Sequence, residues 1–222
     1  MAIIKKHDFV EIEYTGRIRE DNTIFDTTEE KTAKENNAYD EHSDYGPAVI
    51  CVGENHLPKA LEEQLIGKET GKDYRIEIAH EDAFGKKDAK LIQMIPLNKF
   101  RQQKIDPFPG LQLNIDGMFG IVRTVSSGRC LVDFNHPLAG KDLAYEVKVK
   151  RVVEDDKDKL ESLLKTLLRM KDAEVEVKDG SASITLKHDL PKEAQEEFRK
   201  IAERTVPSVK KLDFTIAKEK KQ

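Results

Sequence analysis

The chain has no tryptophan, only two cysteines in 222 residues, and no apolar run near the ~20 residues a membrane-spanning helix needs. Nor is there an apolar stretch between Met1 and Phe9 to serve as a leader. A soluble, cytoplasmic protein with no membrane partner is therefore expected. Cys51 and Cys130 stand apart, with no CxxC and no histidine cluster around them, so they are expected to be small buried hydrophobes rather than a disulfide or a metal pair. The six histidines (His7, His42, His56, His80, His136 and His188) are scattered without ligand spacing, and neither a metal nor a cofactor is expected. GxSxG, HExxH and a phosphate-cradling glycine loop are all missing. Lys and Arg (38) nearly cancel Asp and Glu (42), and no basic stripe carries interleaved aromatics, so nucleic acid is not an expected partner.

The length suits two or three modules. From Phe9 to Gly16 the chain alternates strictly, with Val10, Ile12 and Tyr14 on one face and Glu11, Glu13 and Thr15 on the other, as in a half-buried antiparallel strand. Gly16 breaks the pattern as a bulge would. Turn residues Glu20, Asp21 and Asn22 lead to a second strand at Thr23–Asp26, and Thr27–Pro47 reads as a long polar loop anchored by Tyr39 and Tyr45. Ala48–Val52 is a short apolar strand. Leu57, Leu61 and Leu65 then recur at helical spacing, with Pro58 in the first turn and Gly67 at the end. Tyr74, Ile76 and Ile78 mark another alternating strand.

From Lys86 to His136 the texture changes. Apolar residues crowd together between Leu91 and Phe100, and a Pro/Gly-rich turn follows at Asp106–Gly110. Strand-like pieces then lie near 111–115, 117–125 and 129–134, with Ser126, Ser127 and Gly128 as a hairpin loop. This segment reads as an insertion, because alternation returns from Lys141 to Val153 and needs the first sheet to pair with. After a charged linker, the residues up to Ile216 read as helix, two strands joined at Asp179-Gly180, helix and strand. The fold class is α+β throughout.

In order and spacing, Tyr14-Thr15-Gly16, Phe25-Asp26, Gly53 with Leu57-Pro58 and Leu61, and Ala83-Phe84-Gly85 resemble the FKBP family of peptidyl-prolyl cis-trans isomerases. The stretch from Asn135 to Val147, above all Asn135-His136-Pro137-Leu138-Ala139-Gly140, resembles its SlyD-like branch, whose members carry an insert just after the Ala-Phe/Tyr-Gly element. The resemblance covers about residues 3–154. It implies an FKBP-fold antiparallel sheet wrapped on a short helix (1–86 and 137–154), an inserted β-rich flap domain (87–136) and a C-terminal two-layer α+β domain (155–222), as in long archaeal members.

What the resemblance implies chemically is rotation about X-Pro bonds in unfolded or partly folded, proline-containing polypeptides. Tyr14, Phe25, Ile50, Leu57, Pro58, Leu61, Phe84 and Tyr145 would line the pocket, with Asp26 at its edge. Two positions depart from the common pattern. Leu61 stands where many members carry tryptophan, which speaks against tight macrolide binding, and Phe84 stands where tyrosine is frequent, so one hydroxyl is missing. The flap holds Ile92, Met94, Ile95, Phe100, Phe108, Met118 and Phe119, more apolar surface than fifty residues easily hide, and it is expected to bind unfolded clients. The alternative is a binding-only holdase with little isomerase activity. The tail from Lys218 to Gln222 lacks the His- and Cys-rich metal-binding composition found in SlyD-like proteins, and the C-terminal domain is a candidate homodimer interface.

Overall fold

The computed structural model describes residues 1–115 and 117–217, so the tail from Lys218 lies outside the described residues. The described residues fold as two compact units, 1–78 with 143–217, and 79–142. In chain order, the first unit opens with β1 (Phe9–Ile18), β2 (Ile24–Thr27), α1 (Glu30–Glu35), β3 (Ala48–Cys51), α2 (Lys59–Leu65) and β4 (Lys72–Ile78). The second unit contains β5 (Ile92–Pro96), α3 (Leu97–Gln102), β6 (Gln112–Ile115), β7 (Met118–Ser126) and β8 (Arg129–Asp133). The first unit then resumes with β9 (Leu143–Val152), α4 (Asp156–Leu168), β10 (Glu174–Lys178), β11 (Ser181–Leu186), α5 (Lys192–Thr205) and β12 (Lys211–Ile216).

Strand β1 is the axis of an antiparallel sheet. One edge pairs with β9 from Val10↔Val152 to Ile18↔Leu143. The other edge is shared, with β3 against Phe9–Ile12 and β2 against Thr15–Arg17. Strand β4 completes the sheet on the far side of β9. The register shifts between Gly16 and Arg17, which is the bulge expected of a glycine in an alternating strand. Val10, Ile12, Ile76, Val147 and Val149 are buried, and so are Leu61 and Leu65 of α2. Pro58 caps α2, where its missing N–H costs nothing.

Phe9 departs from the simple one-face reading of β1. It is buried together with Cys51 and Val153 in a core formed by Leu160, Leu163 and Leu164 of α4, Phe198 of α5 and Ile184 of β11. The C-terminal elements therefore cover apolar residues of β1 and β3 rather than burying only their own. Arg204 of α5 adds a polar tie, donating from Nε to Glu54 at 3.0 Å. The helix-strand-strand-helix-strand order is as expected from the sequence, with β11 central and β12 parallel to it. Asp179 and Gly180 both take positive φ (48° and 72°), as a two-residue hairpin turn requires.

In the second unit, β5-β8-β7-β6 form an antiparallel sheet whose core is Phe100, Val122, Cys130 and Val132. Phe134 lies over Gly120, where a Cβ would come within 2.8 Å of its ring. The buried Asp133 carboxylate organises the base of this sheet. It accepts from Lys87 Nζ (2.8 Å), Arg123 Nε (3.2 Å), and both the backbone and side-chain N–H of Asn135 (3.0 and 2.9 Å). Burial pushes its pKa up, but the hydrogen bonds from Lys87 and Asn135 outweigh that and hold it well below the usual carboxylate range.

The long segment Thr27–Pro47 is more ordered than its composition suggests. It holds the one-and-a-half-turn helix α1, built around buried Ala33 and a Lys34–Glu30 pair, and Tyr39 stacks on Tyr45 at 5.4 Å. No helix among the described residues is long and apolar enough to cross a membrane.

Because Phe9, Cys51 and Val153 rely on α4 and α5 for cover, a chain ended at Glu154 is expected to melt several degrees below the full chain and to bind a hydrophobic dye. Calorimetry of the two chains checks this, and identical melting would show that the C-terminal elements contribute nothing to the sheet.

Candidate active site

Four of the residues expected at the pocket meet directly. The Tyr14 hydroxyl of β1 donates to Asp26 Oδ2 of β2 at 2.8 Å. The Phe25 ring meets the buried Tyr145 ring edge-on, with centroids 5.6 Å apart, and Tyr14 approaches the same tyrosine at 6.1 Å. Gly16 makes this possible. It stands opposite Asp26 on one side and Tyr145 on the other, and a Cβ there would lie 2.6 Å from Phe25 Cζ and 3.0 Å from Tyr145. Any side chain at this position would push the rings apart. Burial, then the Asp26 carboxylate, raises both phenols well above the ordinary tyrosine value, so both remain protonated donors.

The supporting layer is polar and was not visible in the sequence pattern. Thr28 Oγ1 accepts from the Tyr14 backbone N–H at 2.8 Å, while the Thr28 N–H donates to the Tyr14 carbonyl at 2.9 Å. Thr15 and Thr27 share a hydrogen bond at 2.9 Å beneath them. On the opposite rim, the buried carboxylate of Glu62 on α2 gathers three backbone N–H groups, from Gly53 (2.7 Å), Asn55 (3.1 Å) and Leu57 (2.8 Å). That carboxylate shapes the loop between β3 and α2 and thereby sets Leu57 beside Ile50. His56 in the same loop accepts from the Cys51 N–H through Nδ1 at 3.1 Å. Burial lowers its pKa, partly opposed by Glu62 and Glu54, so the ring is neutral when it makes that bond. The Cys51 thiol itself is pushed up to about 12 by burial, with Glu54 and Glu62 adding to it; it is an inert core residue.

Tyr14, Ile50 and Leu57 line one hollow of about 610 Å³, and Tyr14, Phe25 and Asp26 line a second of about 440 Å³. Pro58 is half-buried at the head of α2, and Leu61 is fully buried, beneath the surface rather than on it. Phe84 belongs to the second unit, where its ring stacks on His136 with centroids 4.3 Å apart and planes within 2°. There His136 Nδ1 also accepts from the Leu138 N–H at 3.2 Å, and the Gly140 N–H donates to the Gly85 carbonyl at 2.7 Å. The Asn135–Gly140 stretch is thus the brace of the Phe84 loop.

Of the seven residues expected to hold clients, Met94 (61% exposed), Phe108 (58%), Met118 and Phe119 are exposed, and Ile92 is half-buried. Ile95 is half-buried as well, and Phe100 is a correction. Phe100 is 3% exposed in the core of the second unit, and Ile95, opposite Cys130 in the β5–β8 register, packs against that core. Strand alternation sends Ile95 inward and its neighbour Met94 outward. Met94 and Leu131 line a shallow hollow of about 480 Å³ on that outer face.

The site is thus an aromatic cluster of Tyr14, Phe25 and buried Tyr145 at one end of an antiparallel sheet around a short helix, with a β-rich unit between the paired strands β4 and β9. Comparison with known proteins identifies the family. Residues 2–106 match the family described as FKBP-type peptidyl-prolyl cis-trans isomerase, and residues 93–138 match the family described as FKBP26, IF domain. The short-type peptidyl-prolyl cis-trans isomerase of Methanocaldococcus jannaschii is 35% identical over 150 residues, covering 68% of this chain and 94% of its own length. The SlyD isomerase of Vibrio cholerae is 30% identical over 60% of this chain and 68% of its own, and a 16 kDa FKBP-type isomerase of Escherichia coli is 29% identical over 48% and 74%. The chain belongs to the FKBP-type peptidyl-prolyl cis-trans isomerase family, enzymes that act on proline-containing polypeptides. Within that family it falls in the SlyD-like branch.

Two predictions test the supporting layer. Glu62→Ala leaves the buried Leu57 N–H without its acceptor and frees the loop, which is expected to cost about 3 kcal/mol; denaturant unfolding measures it. For His56, the folded pKa lies below the unfolded value of 6.5. As pH falls below about 6.5 the unfolded chain gains a proton that the folded chain resists, so stability drops with acid in that window and is full above it. His56→Gln is expected to flatten that part of the stability-pH curve; an unchanged slope would assign it to other groups.

Proposed function

We propose that the isomerase activity resides in the concavity lined by Tyr14, Phe25, Asp26, Ile50 and Leu57, with Pro58 beside it and Leu61 and Tyr145 as its buried support, and that the unit 79–142 holds unfolded clients for it. The observation that carries the first part is the Tyr14–Asp26 hydrogen bond set beside a Phe25 ring that rests on buried Tyr145. Such a site has no nucleophile and needs none. The barrier to rotation is ~18–20 kcal/mol and arises from the partial double bond of the amide. A twisted prolyl amide has lost that resonance and much of its charge separation, so an apolar, aromatic surface favours it over the planar form. Asp26 at the rim orients Tyr14 and presents a carboxylate to polar groups of the rotating amide. No bond forms or breaks, and no proton is transferred.

The holding role rests on Met94, Phe108, Met118 and Phe119, four large apolar side chains left in solvent on a unit of modest size. Met is adaptable to varied partners, and Ile92 extends the same surface. Clients kept close to the prolyl site meet it at high effective concentration.

Two measurements separate these roles. Asp26→Ala is expected to lower kcat/KM on a short proline peptide by about tenfold, the worth of one hydrogen bond to a charged group, with far-UV circular dichroism unchanged. The double variant Met94→Glu, Phe119→Glu is expected to retain peptide activity while losing suppression of aggregation and acceleration of proline-limited refolding. Retained refolding activity in that variant would remove the client-binding role from this surface.

A further inference from the structure

The larger of the two hollows beside Tyr14 is only half built from the elements of the FKBP sheet. Tyr14, Ile50 and Leu57 form one wall, and the other comes from α4 and the residues just after it, where Leu164, Met170 and Ala173 lie among the charged Asp158, Glu161, Lys165 and Lys171. At about 610 Å³ it falls within the range of sites that seat a ligand or several side chains. Its rim is charged. Asp44, in the segment leading to β3, accepts from Lys171 at 2.6 Å and faces Lys165 at 3.1 Å, so one carboxylate spans two ammonium groups of the C-terminal elements. These bonds hold the Asp44 carboxyl below its ordinary value, with the Lys171 hydrogen bond the larger cause. The second hollow, on the Phe25 and Asp26 side, shares Tyr14, Asp44, Pro47, Ala48 and Lys165 with the first. The two are therefore contiguous, meeting at Tyr14.

From this continuity we infer that the C-terminal elements supply a substrate subsite: the cleft between β3 and α4 seats apolar side chains of the polypeptide flanking the proline, and so sets sequence preference. The inference rests on the prolyl pocket proposed above. The occupant is the substrate chain itself because the cleft opens directly from Tyr14 and carries an apolar strip of Ile50, Leu57, Met170 and Ala173; with Asp44, Asp158 and Glu161 set against Lys165 and Lys171, its charge does not favour an acidic flank. Met170 is half-buried and unbranched, able to adjust to different flanking residues.

The experiment compares two peptides on the full chain, one reaching a single residue to either side of the proline and one extended on both sides by about three more residues, ~10 Å of extended chain, with an apolar residue nearest the proline. In the wild type, extension is expected to raise kcat/KM about tenfold, the discrimination an apolar subsite provides. Thr166→Trp, at an exposed lining position on α4, is expected to abolish that gain while leaving the short peptide unaffected. Met170→Asp is expected to do the same, and Thr166→Trp carries the test if the buried change unfolds the chain. No gain on extension in the wild type, or equal loss on both peptides in Thr166→Trp, overturns the subsite. A gain that fades as protein concentration rises also overturns it, since a second copy would then fill the cleft. Failure of the pocket reading is distinct: Asp26→Ala would leave the short-peptide rate intact, whatever extension does.

Discussion

Strand β9 enters the first sheet between β1 and β4, and that placement is the constraint on which the rest of the first unit depends. Its partners come from the first third of the chain, so the sheet is complete only after the second unit has been traversed. The same strand carries Tyr145, the ring on which Phe25 rests and which Tyr14 approaches. Closing the sheet and assembling the aromatic cluster are therefore one event. Its loop-closure cost is modest, because that cost grows only logarithmically with loop length, and the residues between β4 and β9 carry a core of their own.

The proposed prolyl site gains its character from what surrounds it more than from reactive groups. A glycine is needed where two rings converge, threonines bind the backbone beneath Tyr14, and one buried carboxylate shapes the opposite loop. Preorganisation of this kind suits a reaction whose barrier is electronic and whose transition state is less polar than its ground state. The C-terminal elements add to it from outside the family core, through the shared packing of Phe9 and the wall they contribute beside Ile50.

Much of this was legible in the amino-acid order. Strict alternation around Val10 and Ile12, the Asp179-Gly180 turn and the leucine spacing of α2 and α4 each express a local period that tertiary contacts reinforce. Tyr14, Phe25, Asp26 and Tyr145 were legible through family resemblance, not through any local pattern. What escaped notice has physical reasons. Glu62 looks like one more surface carboxylate because its partners are backbone amides, which carry no sequence signal. Helix α1 is six residues long, too short to show a 3.6-residue period. Phe100 reads as a client-binding residue because the sequence does not reveal that α3 turns it into the core of the second unit.

The open end of the β4–β9 ladder also has a mechanical side. Strands β4 and β9 are antiparallel neighbours whose last paired residues are Ile78 and Leu143, and the chain leaves and returns there. Just beyond, the His80 backbone N–H and the His80 ring nitrogen both lie against Asp142 Oδ1, at 3.0 and 2.8 Å. A polypeptide tugging on residues 79–142 would load the β4–β9 ladder in its weakest direction, peeling rungs one at a time from that end rather than shearing them together.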